Sequence, residues 1–496
     1  MKQRKKTGVI FPSESESSLG LSDDSNADPT FRLTSCESSA STECSDSEQY
    51  SEETVSTSGP STPKGNITGS LQPTKKQVSF PRKLVWKIGN LDVPAWYADT
   101  VPVPVGDFFM NLDTPFQFFN YFFGDEIFEK ILSESQHYAI QKDPNKPLAI
   151  NKNELKKFVG ICIIMSVVHL PNTRSYWNAS LGNTIIQETM SCNRFENIRT
   201  NLHFSNNEDT VPSGQPGHDR LHKIRPVINH LNAKFASVPM EESLSLDEQL
   251  CATKARHYLK QYMPMKPHKW GYKLFILSGV SGFAYKFEVY SGMENDESQR
   301  LESEPDLGAC ANVVVRLGRL IPEKKNHRLY FDNYFTTPGL MVFFEKKGIH
   351  CLGTVRQNRL PGVKVPSKKE LLKKERGYSS ECVTRVEDVD LSCVVWKDNK
   401  AVTLMSTFAG ENPKCKVSRF DKKKKEIIEV ECPNVVSIYN KHMGGVDLLD
   451  SIIGRYKIKL RSKKMVHEAV LSFLRFDSCK QLVAIQKSTS REGNRQ

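Results

Sequence analysis

The chain has 496 residues, enough for roughly two to four folded units, and a formal net charge of +12. The charge is uneven, because residues 1–10 carry +4, residues 11–60 carry −10 and residues 61–496 carry +18. The strong positive charge of residues 61–496 favours a polyanionic partner such as nucleic acid. The twelve cysteines form no C-x-x-C pair, which predicts reduced thiols. The most apolar stretch, 158–171, is shorter than the roughly 20 residues of a membrane span, so no membrane role is expected.

The N-terminal residues 1–100 are predicted to be a disordered tail. Ser, Asp and Glu dominate residues 11–60, which lack the apolar side chains needed to offset the entropy of folding. Runs such as SESESS and CSDSEQYSEE place serines ahead of acidic residues, which suits an acidophilic kinase, although a purely solvated tail stays open. The basic strings at 2–6, 75–83 and 461–464 favour nuclear localisation.

Helical patterns dominate from about residue 102 to residue 240. In DTPFQFFNYFFGDEIFEKIL, Thr114 or Asp113 can cap a helix that Pro115 begins, and its aromatic residues are predicted to pack in the core rather than to stack on bases. Further helices are predicted at 153–168, 192–201 and 221–235.

After residue 242 the pattern changes to strands. Short β-rich runs are predicted to end at Asp247 and at Asp332. Between them, a hairpin is predicted from the strands 272–278 and 284–291, followed by a helix over 309–321. This order predicts a mixed α/β sheet with carboxylates at strand ends.

The segment 358–432 is basic and irregular, and its apolar pieces predict strands of a small inserted subdomain. The DKKKKE run at 421–426 is interpreted as a solvated turn, with a nucleic-acid contact as the alternative.

Three aspartates in unusual strings are the candidate functional residues: Asp247 in SLSLDEQL, Asp332 in RLYFDNYFTT and Asp447 in YNKHMGGVDLLD. Clustered carboxylates repel one another unless a cation lies between them, and Mg²⁺ prefers such hard oxygen ligands. Two ions roughly 3.5–4 Å apart stabilise the attacking and leaving oxygens of a phosphodiester. The alternatives are structural, with Asp332 as a turn former and Asp447 as a helix N-cap.

The strings SLDEQL, YMPMKPHKWGYKLFIL, FDNYFTT, LGTVRQNRLPG and YNKHMGGVDLLD, in this order, resemble the piggyBac transposase family, which includes transposable element-derived proteins. The resemblance implies a ribonuclease H-like catalytic domain embedded in a mostly helical dimerisation and DNA-binding domain. It implies that Asp247, Asp332 and Asp447 are catalytic and bind Mg²⁺ or Mn²⁺, with Asp450 as a fourth metal ligand. The implied reaction is cleavage of double-stranded DNA and strand transfer into TTAA sites.

The predicted domain boundaries follow from the patterns and from this resemblance. They are 1–100 for the tail, 101–242 and a truncated 457–496 for the helical domain, 243–357 and 433–456 for the catalytic domain, and 358–432 for the insertion. Only Cys479 follows Cys432, so we expect no zinc-binding cysteine-rich module and no zinc. Whether the chain transposes or is a domesticated DNA-binding or chromatin-associated protein stays open at this point, as does a homodimer.

Overall fold

The computed structural model describes residues 84–92, 112 and 114–458, apart from 254–256, 265, 293, 422–423 and 457. The predicted acidic tail at 11–60, the three basic strings and Cys479 lie outside the described residues. The described residues fall within one unit, Gln77–Gln496. In this part of the chain, no helix is long and apolar enough to cross a membrane.

Helices make up the regular structure of the described part of 114–242. They are α1 Pro115–Phe122, α2 Asp125–Lys142, α3 Lys152–Val167, α4 Thr184–Thr189, α5 Cys192–Asn201 and α6 Arg225–Ala236. The predicted cap is confirmed, since the Gln117 N–H donates to Thr114 Oγ1 at 3.3 Å and the Thr114 N–H donates to Gln117 Oε1 at 2.8 Å. Core packing of the aromatic residues is confirmed for Phe122, Phe123 and Phe128, which are buried, but not for Phe116, which is 66% exposed.

Two of these helices differ from the sequence prediction. The string after Thr114 forms two helices, α1 and α2, because Gly124 is the N-cap of α2. A Cβ at Gly124 would lie 2.6 Å from the carbonyl oxygen of Asn120. The helix predicted to begin at residue 221 begins at Arg225, after a short 3₁₀ turn over His222–Ile224, and Pro226 occupies its first turn.

One mixed sheet of ten strands forms the centre of the described structure. Its strands are β1 Lys87–Ile88, β2 Ser243–Ala252, β3 Gln261–Tyr262, β4 Trp270–Gly279, β5 Ala284–Val289, β6 Arg328–Phe331, β7 His350–Thr354, β8 Ser379–Val386, β9 Val389–Lys397 and β10 Ala401–Ser406. The order is β1-β8-β9-β10-β7-β6-β2-β4-β3, and β5 also pairs with β4. β2, β6 and β7 are parallel to one another, whereas the other pairs are antiparallel.

The remaining elements cover the sheet or extend from it. They are α7 Ala309–Gly318, α8 Pro338–Lys346, α9 Lys368–Leu372, the hairpin of β11 Cys415–Asp421 and β12 Glu426–Cys432, α10 Asn434–His442 and α11 Gly445–Arg455. In the segment 358–432, β8, β9 and β10 continue the central sheet through the pairing of β10 with β7. The hairpin β11–β12 forms a separate two-stranded sheet.

Residues 84–92 have a defined place in the fold, although composition assigned them to the tail that ends at residue 100. β1 pairs with β8, and Leu84 and Trp86 are buried in the main core. The physical reason is that this short apolar string covers the free edge of β8. The low hydrophobicity of the preceding residues does not extend to it.

Candidate metal centre

The parallel pairing of β2 with β6 brings the first two predicted aspartates together. Leu246 is paired with Phe331 in this register, and each is followed directly by an aspartate. Asp332 lies just beyond the end of β6, as predicted. Asp247 lies inside the ten-residue strand β2 rather than at its end, because β2 continues in pairing with β4 beyond the end of β6. The two carboxyl groups are therefore neighbours on adjacent parallel strands.

Glu248 joins this pair and was not predicted from the sequence. Asp247, Glu248 and Asp332 each offer a carboxylate oxygen, and these three oxygens all lie within 4.8 Å of one another. Glu248 also forms an ion pair with Lys273 on β4, with 2.9 Å between Nζ and Oε1. Hard oxygen donors at this spacing could hold a divalent cation of the Mg²⁺ class.

Helix α11 brings the third aspartate towards the sheet. Its first residue, Gly445, is buried, and a Cβ there would lie 2.6 Å from Ser245 Oγ and 2.7 Å from Ser278 Oγ. Only a residue without a side chain permits this approach of α11 to β2 and β4. The N-cap is Gly444, so Asp447 is the third helical residue and not the cap that was considered as an alternative.

Asp447 and Asp450 are near the three-carboxylate group without belonging to it. Asp447 is exposed, and neither residue has an oxygen within the 4.8 Å group. Asp450, one turn further along α11, lies 3.7 Å from Lys266 Nζ through its Oδ2. Lys266 also donates to the carbonyl oxygen of Glu248 at 3.0 Å and so connects α11 with β2.

Burial and mutual repulsion favour the protonated carboxyl groups in this cluster. Burial raises the pKa of Asp247 well above its usual range, and the carboxylates of Glu248 and Asp332 raise it further. Burial also raises the pKa of Asp332, while the Tyr334 N–H opposes the shift. Burial raises the pKa of Asp450 to about 6 against the opposing charge of Lys266. A cation among these groups would reverse the repulsion.

Tyr439 on α10 lies close enough to all three predicted aspartates for their charges to affect its pKa. Burial raises the pKa of its hydroxyl above the usual range, and the charges of Asp332, Asp247 and Asp447 add to the shift. A hydrogen bond with Thr354 opposes it. The three aspartates therefore act on one side chain.

The loop after Asp332 is fixed by hydrogen bonds. The Tyr334 N–H donates to Asp332 Oδ1 at 2.7 Å, so Asp332 does form the turn considered as its structural role. Arg359 Nη1 lies 2.9 Å from the carbonyl oxygen of Asn333, 3.0 Å from that of Tyr334 and 3.2 Å from that of Thr336. The turn and the acidic site are thus built from the same residue.

Several polar residues around the site were missed as functional residues. Lys266 and Lys273 lie in YMPMKPHKWGYKLFIL, and Arg359 lies in LGTVRQNRLPG, both strings that carried the family resemblance. Glu248 directly follows Asp247. The one signal in the sequence was that these residues lie in or beside the strings that resemble the piggyBac family. Neither their spacing nor their charge pattern distinguishes them from other polar residues.

Comparison with known proteins gives one family. The family model described as Transposase IS4 matches residues 114–475. PiggyBac transposable element-derived protein 3 of Homo sapiens is 32% identical over 391 residues, which cover 78% of this chain and 63% of the relative. PiggyBac transposable element-derived protein 2 of Homo sapiens is 30% identical over 406 residues, which cover 79% and 65%. The chain therefore spans less than two thirds of the length of these relatives.

A solved structure shows the same fold. It is the cryo-EM structure of a piggyBac transposase synaptic complex with hairpin DNA, which matches with a TM-score of 0.61, 20% identity and coverage of 77% of each chain. The mixed α/β fold and the match over residues 114–475 define a protein of the Transposase IS4 family. Within that class the chain belongs to the piggyBac family, so the predicted resemblance is confirmed.

Proposed function

We propose that the chain is a piggyBac-type, transposase-derived DNA-binding protein whose acidic site carries out metal-dependent DNA strand cleavage and transfer at TTAA sites. The observation that carries this proposal is the parallel pairing of β2 with β6, which places Asp247 and Asp332 in one 4.8 Å group of carboxylate oxygens, with Asp447 on α11, the helix that packs against β2 and β4. Isolated aspartates serve as caps or turns. Two that meet from distant segments, with a third close by on α11, suit phosphodiester chemistry.

The strand order supports a ribonuclease H-like assignment for this part of the chain. The order β5-β4-β2-β6-β7 combines an antiparallel meander with two parallel strands reached through helices. The helices of 114–242 support the assignment of a mostly helical dimerisation and DNA-binding domain beside it. Two observations support duplex DNA as the partner. Residues 61–496 are strongly basic, and the solved relative forms a synaptic complex with hairpin DNA.

The residues present fit a divalent metal ion. In the proposed site Asp247, Asp332 and Asp447 hold Mg²⁺ or Mn²⁺, with Glu248 and Asp450 as further carboxylates. Glu248 shares the 4.8 Å group with Asp247 and Asp332, whereas Asp447 and Asp450 approach it from α11. When bound, the metal supplies charge stabilisation for the attacking and leaving oxygens of a phosphodiester. The chain's own contribution is to fix these carboxylates in place through the β2–β6 register and the close contact of α11. Lys266 and Lys273 balance the negative charge of Asp450 and Glu248.

The proposal is tested by DNA cleavage with purified full-length chain. A duplex with one central TTAA is compared with a matched TATA duplex, in Mg²⁺ and in Mn²⁺. Cleavage is expected for TTAA only, and Asp332→Asn is expected to abolish it, whereas Asp388→Asn is expected to leave it unchanged. Asp388 is a suitable control because its side chain is 97% exposed and Asn tolerates its positive φ. Cleavage that survives Asp332→Asn would refute the assignment.

A domesticated DNA-binding or chromatin-associated protein is the second candidate. The observation that favours it is that the human relatives are named transposable element-derived proteins. In that case the wild-type chain binds duplex DNA with a strong salt dependence but does not cleave it. The affinity of the Asp247→Asn, Asp332→Asn, Asp447→Asn triple variant then equals or exceeds that of the wild type. For both candidate functions we also propose that the protein is located in the nucleus and forms a homodimer.

A further inference from the structure

A short N-terminal segment, residues 84–91, lies along the edge of the central sheet; we refer to it as the N-terminal strap. Its strand β1 pairs with β8, with Lys87 opposite Val383 and Ile88 opposite Cys382. Thr384 Oγ1 donates to the carbonyl oxygen of Val85 at 2.8 Å, and the Leu91 N–H donates to Glu381 Oε1 at 3.0 Å. The strap therefore has backbone and side-chain anchors along its length.

Trp86 is the side chain that the strap buries most deeply. It is 1% exposed, whereas Val85 and Ile88 are 69% and 79% exposed. Its indole Nε1–H donates to the carbonyl oxygen of Pro361 at 3.2 Å. A Cβ at Gly362 would lie 3.2 Å from the carbonyl oxygen of Leu84, so the strap touches two successive residues of one loop.

That loop, residues 356–362, is here called the arginine loop, and its other end supports the residues after Asp332. Arg359 Nη1 donates to three carbonyl oxygens of residues 333–336. Arg356 Nε donates to Asn333 Oδ1 at 3.1 Å, and the charge of Arg356 lies close enough to oppose protonation of Asp332. One continuous set of contacts thus leads from Trp86 to the aspartate.

We propose that the N-terminal strap fastens the arginine loop beneath Asp332 and that Trp86 is a positioning residue of the acidic site. The strap does not touch the reacting groups. It limits the movement of Pro361 and Gly362, and thereby holds Arg359 against the turn that orients the Asp332 carboxyl group. The effect on the reaction rests on the proposed function, whereas the effect on the loop does not.

Hydrogen exchange of the full chain, followed by mass spectrometry, tests the fastening. Trp86→Phe keeps an aromatic ring in the core but removes the donor to Pro361, and Ile88→Ala is the matched control on the exposed side of the same strap. Loss of this hydrogen bond is expected to speed exchange of residues 333–336 and 356–362 roughly 3- to 10-fold. Exchange of β4 is expected to stay unchanged, and Ile88→Ala is expected to match the wild type throughout.

Two results overturn the proposal. The first is unchanged exchange of residues 356–362 in both Trp86→Phe and Trp86→Ala. The second is exchange of β4 that becomes faster to the same degree as that of residues 356–362, which would mean that Trp86 only contributes to the general core. A second readout is the metal concentration at half-maximal DNA cleavage, expected to rise several-fold in Trp86→Phe but not in Ile88→Ala. If the wild type does not cleave DNA, the proposed function fails, while the exchange experiment still decides the role of the strap.

Discussion

A single methyl group at residue 445 is expected to disturb the acidic site. Gly445 begins α11, and the added Cβ of Gly445→Ala would lie 2.6 Å from Ser245 Oγ and 2.7 Å from Ser278 Oγ. The carbonyl oxygen of Gly279 is closer still, and as a backbone atom in β4 it has little freedom to move. Ordinary contact begins at 3.4 Å, so relief of the contact with the Gly279 carbonyl oxygen requires α11 to shift by about 1 Å.

The size of the effect follows from two opposing contributions. Overpacking of this kind costs ~1–3 kcal/mol of unfolding free energy. Alanine in place of glycine favours a helix by ~1 kcal/mol at interior positions, and by less at the first residue. A net loss of ~1–2 kcal/mol is expected for Gly445→Ala. Because Asp447 lies two residues further on, a shift of this size can lower cleavage by ~100-fold.

Gly454→Ala is the matched control in the same helix. Among the described residues outside the backbone of α11, no atom lies within 4 Å of a Cβ at this exposed position, so the helix preference is expected to dominate. It is expected to stabilise the chain by ~0.5–1 kcal/mol and to leave cleavage unchanged. The assays are thermal and denaturant unfolding together with metal-dependent DNA cleavage. Equal stability and equal cleavage in the two variants would refute the argument that close contact at Gly445 positions the third aspartate.

Three further variants test the charges and supports of the site. Asp247→Asn removes repulsion and is expected to raise the melting temperature of the metal-free chain while abolishing the rise caused by Mg²⁺; a retained Mg²⁺ response contradicts this. The pKa of Asp450 is about 6 in the folded chain, compared with an ordinary value of 3.8. Because the folded chain therefore binds this proton more tightly than the unfolded chain, the unfolding free energy is expected to fall as the pH rises from 4 to 6. This fall amounts to up to ~3 kcal/mol, and Asp450→Asn is expected to remove it in denaturant titrations at successive pH values. A fall of the same size in the variant would show that other groups cause it. Arg359→Lys loses the planar group that reaches three carbonyl oxygens and is expected to cost ~1–3 kcal/mol in thermal unfolding, whereas wild-type stability would show that the three contacts are not needed.

Local sequence signals were sufficient for much of the fold. The Thr114 cap, the helix at 192–201 and the strands before Asp332 depend on neighbouring residues, so capping and periodicity could identify them. The sequence did not show that β8–β10 extend the central sheet, because the pairing of β10 with β7 joins residues far apart in the chain. The same holds for the strap, whose partner β8 lies almost 300 residues further on.

The acidic site was predictable to a similar extent. Asp247 and Asp332 could be placed together because each belongs to a β-rich run and to a family string. Glu248 was missed because adjacent residues of a regular strand point to opposite faces, which argues against its sharing a site with Asp247. Its oxygen nevertheless lies within the 4.8 Å group, a result of tertiary geometry that alternation alone does not reveal.

The distribution of lysines identifies where an added cation would gain most. Among the described residues, Lys273 forms an ion pair with Glu248 and Lys266 forms one with Asp450, so two of the carboxylates already have a cationic partner. Asp247 and Asp332 have raised pKa values and no ion pair in the same part of the chain. Since a partly buried carboxylate without an ion-pair partner is costly to ionise, a divalent cation is expected to give the greatest electrostatic gain between Asp247 and Asp332. In the proposed site the lysines therefore balance Glu248 and Asp450, and Asp247 and Asp332 are the carboxylates with most to gain from a metal ion.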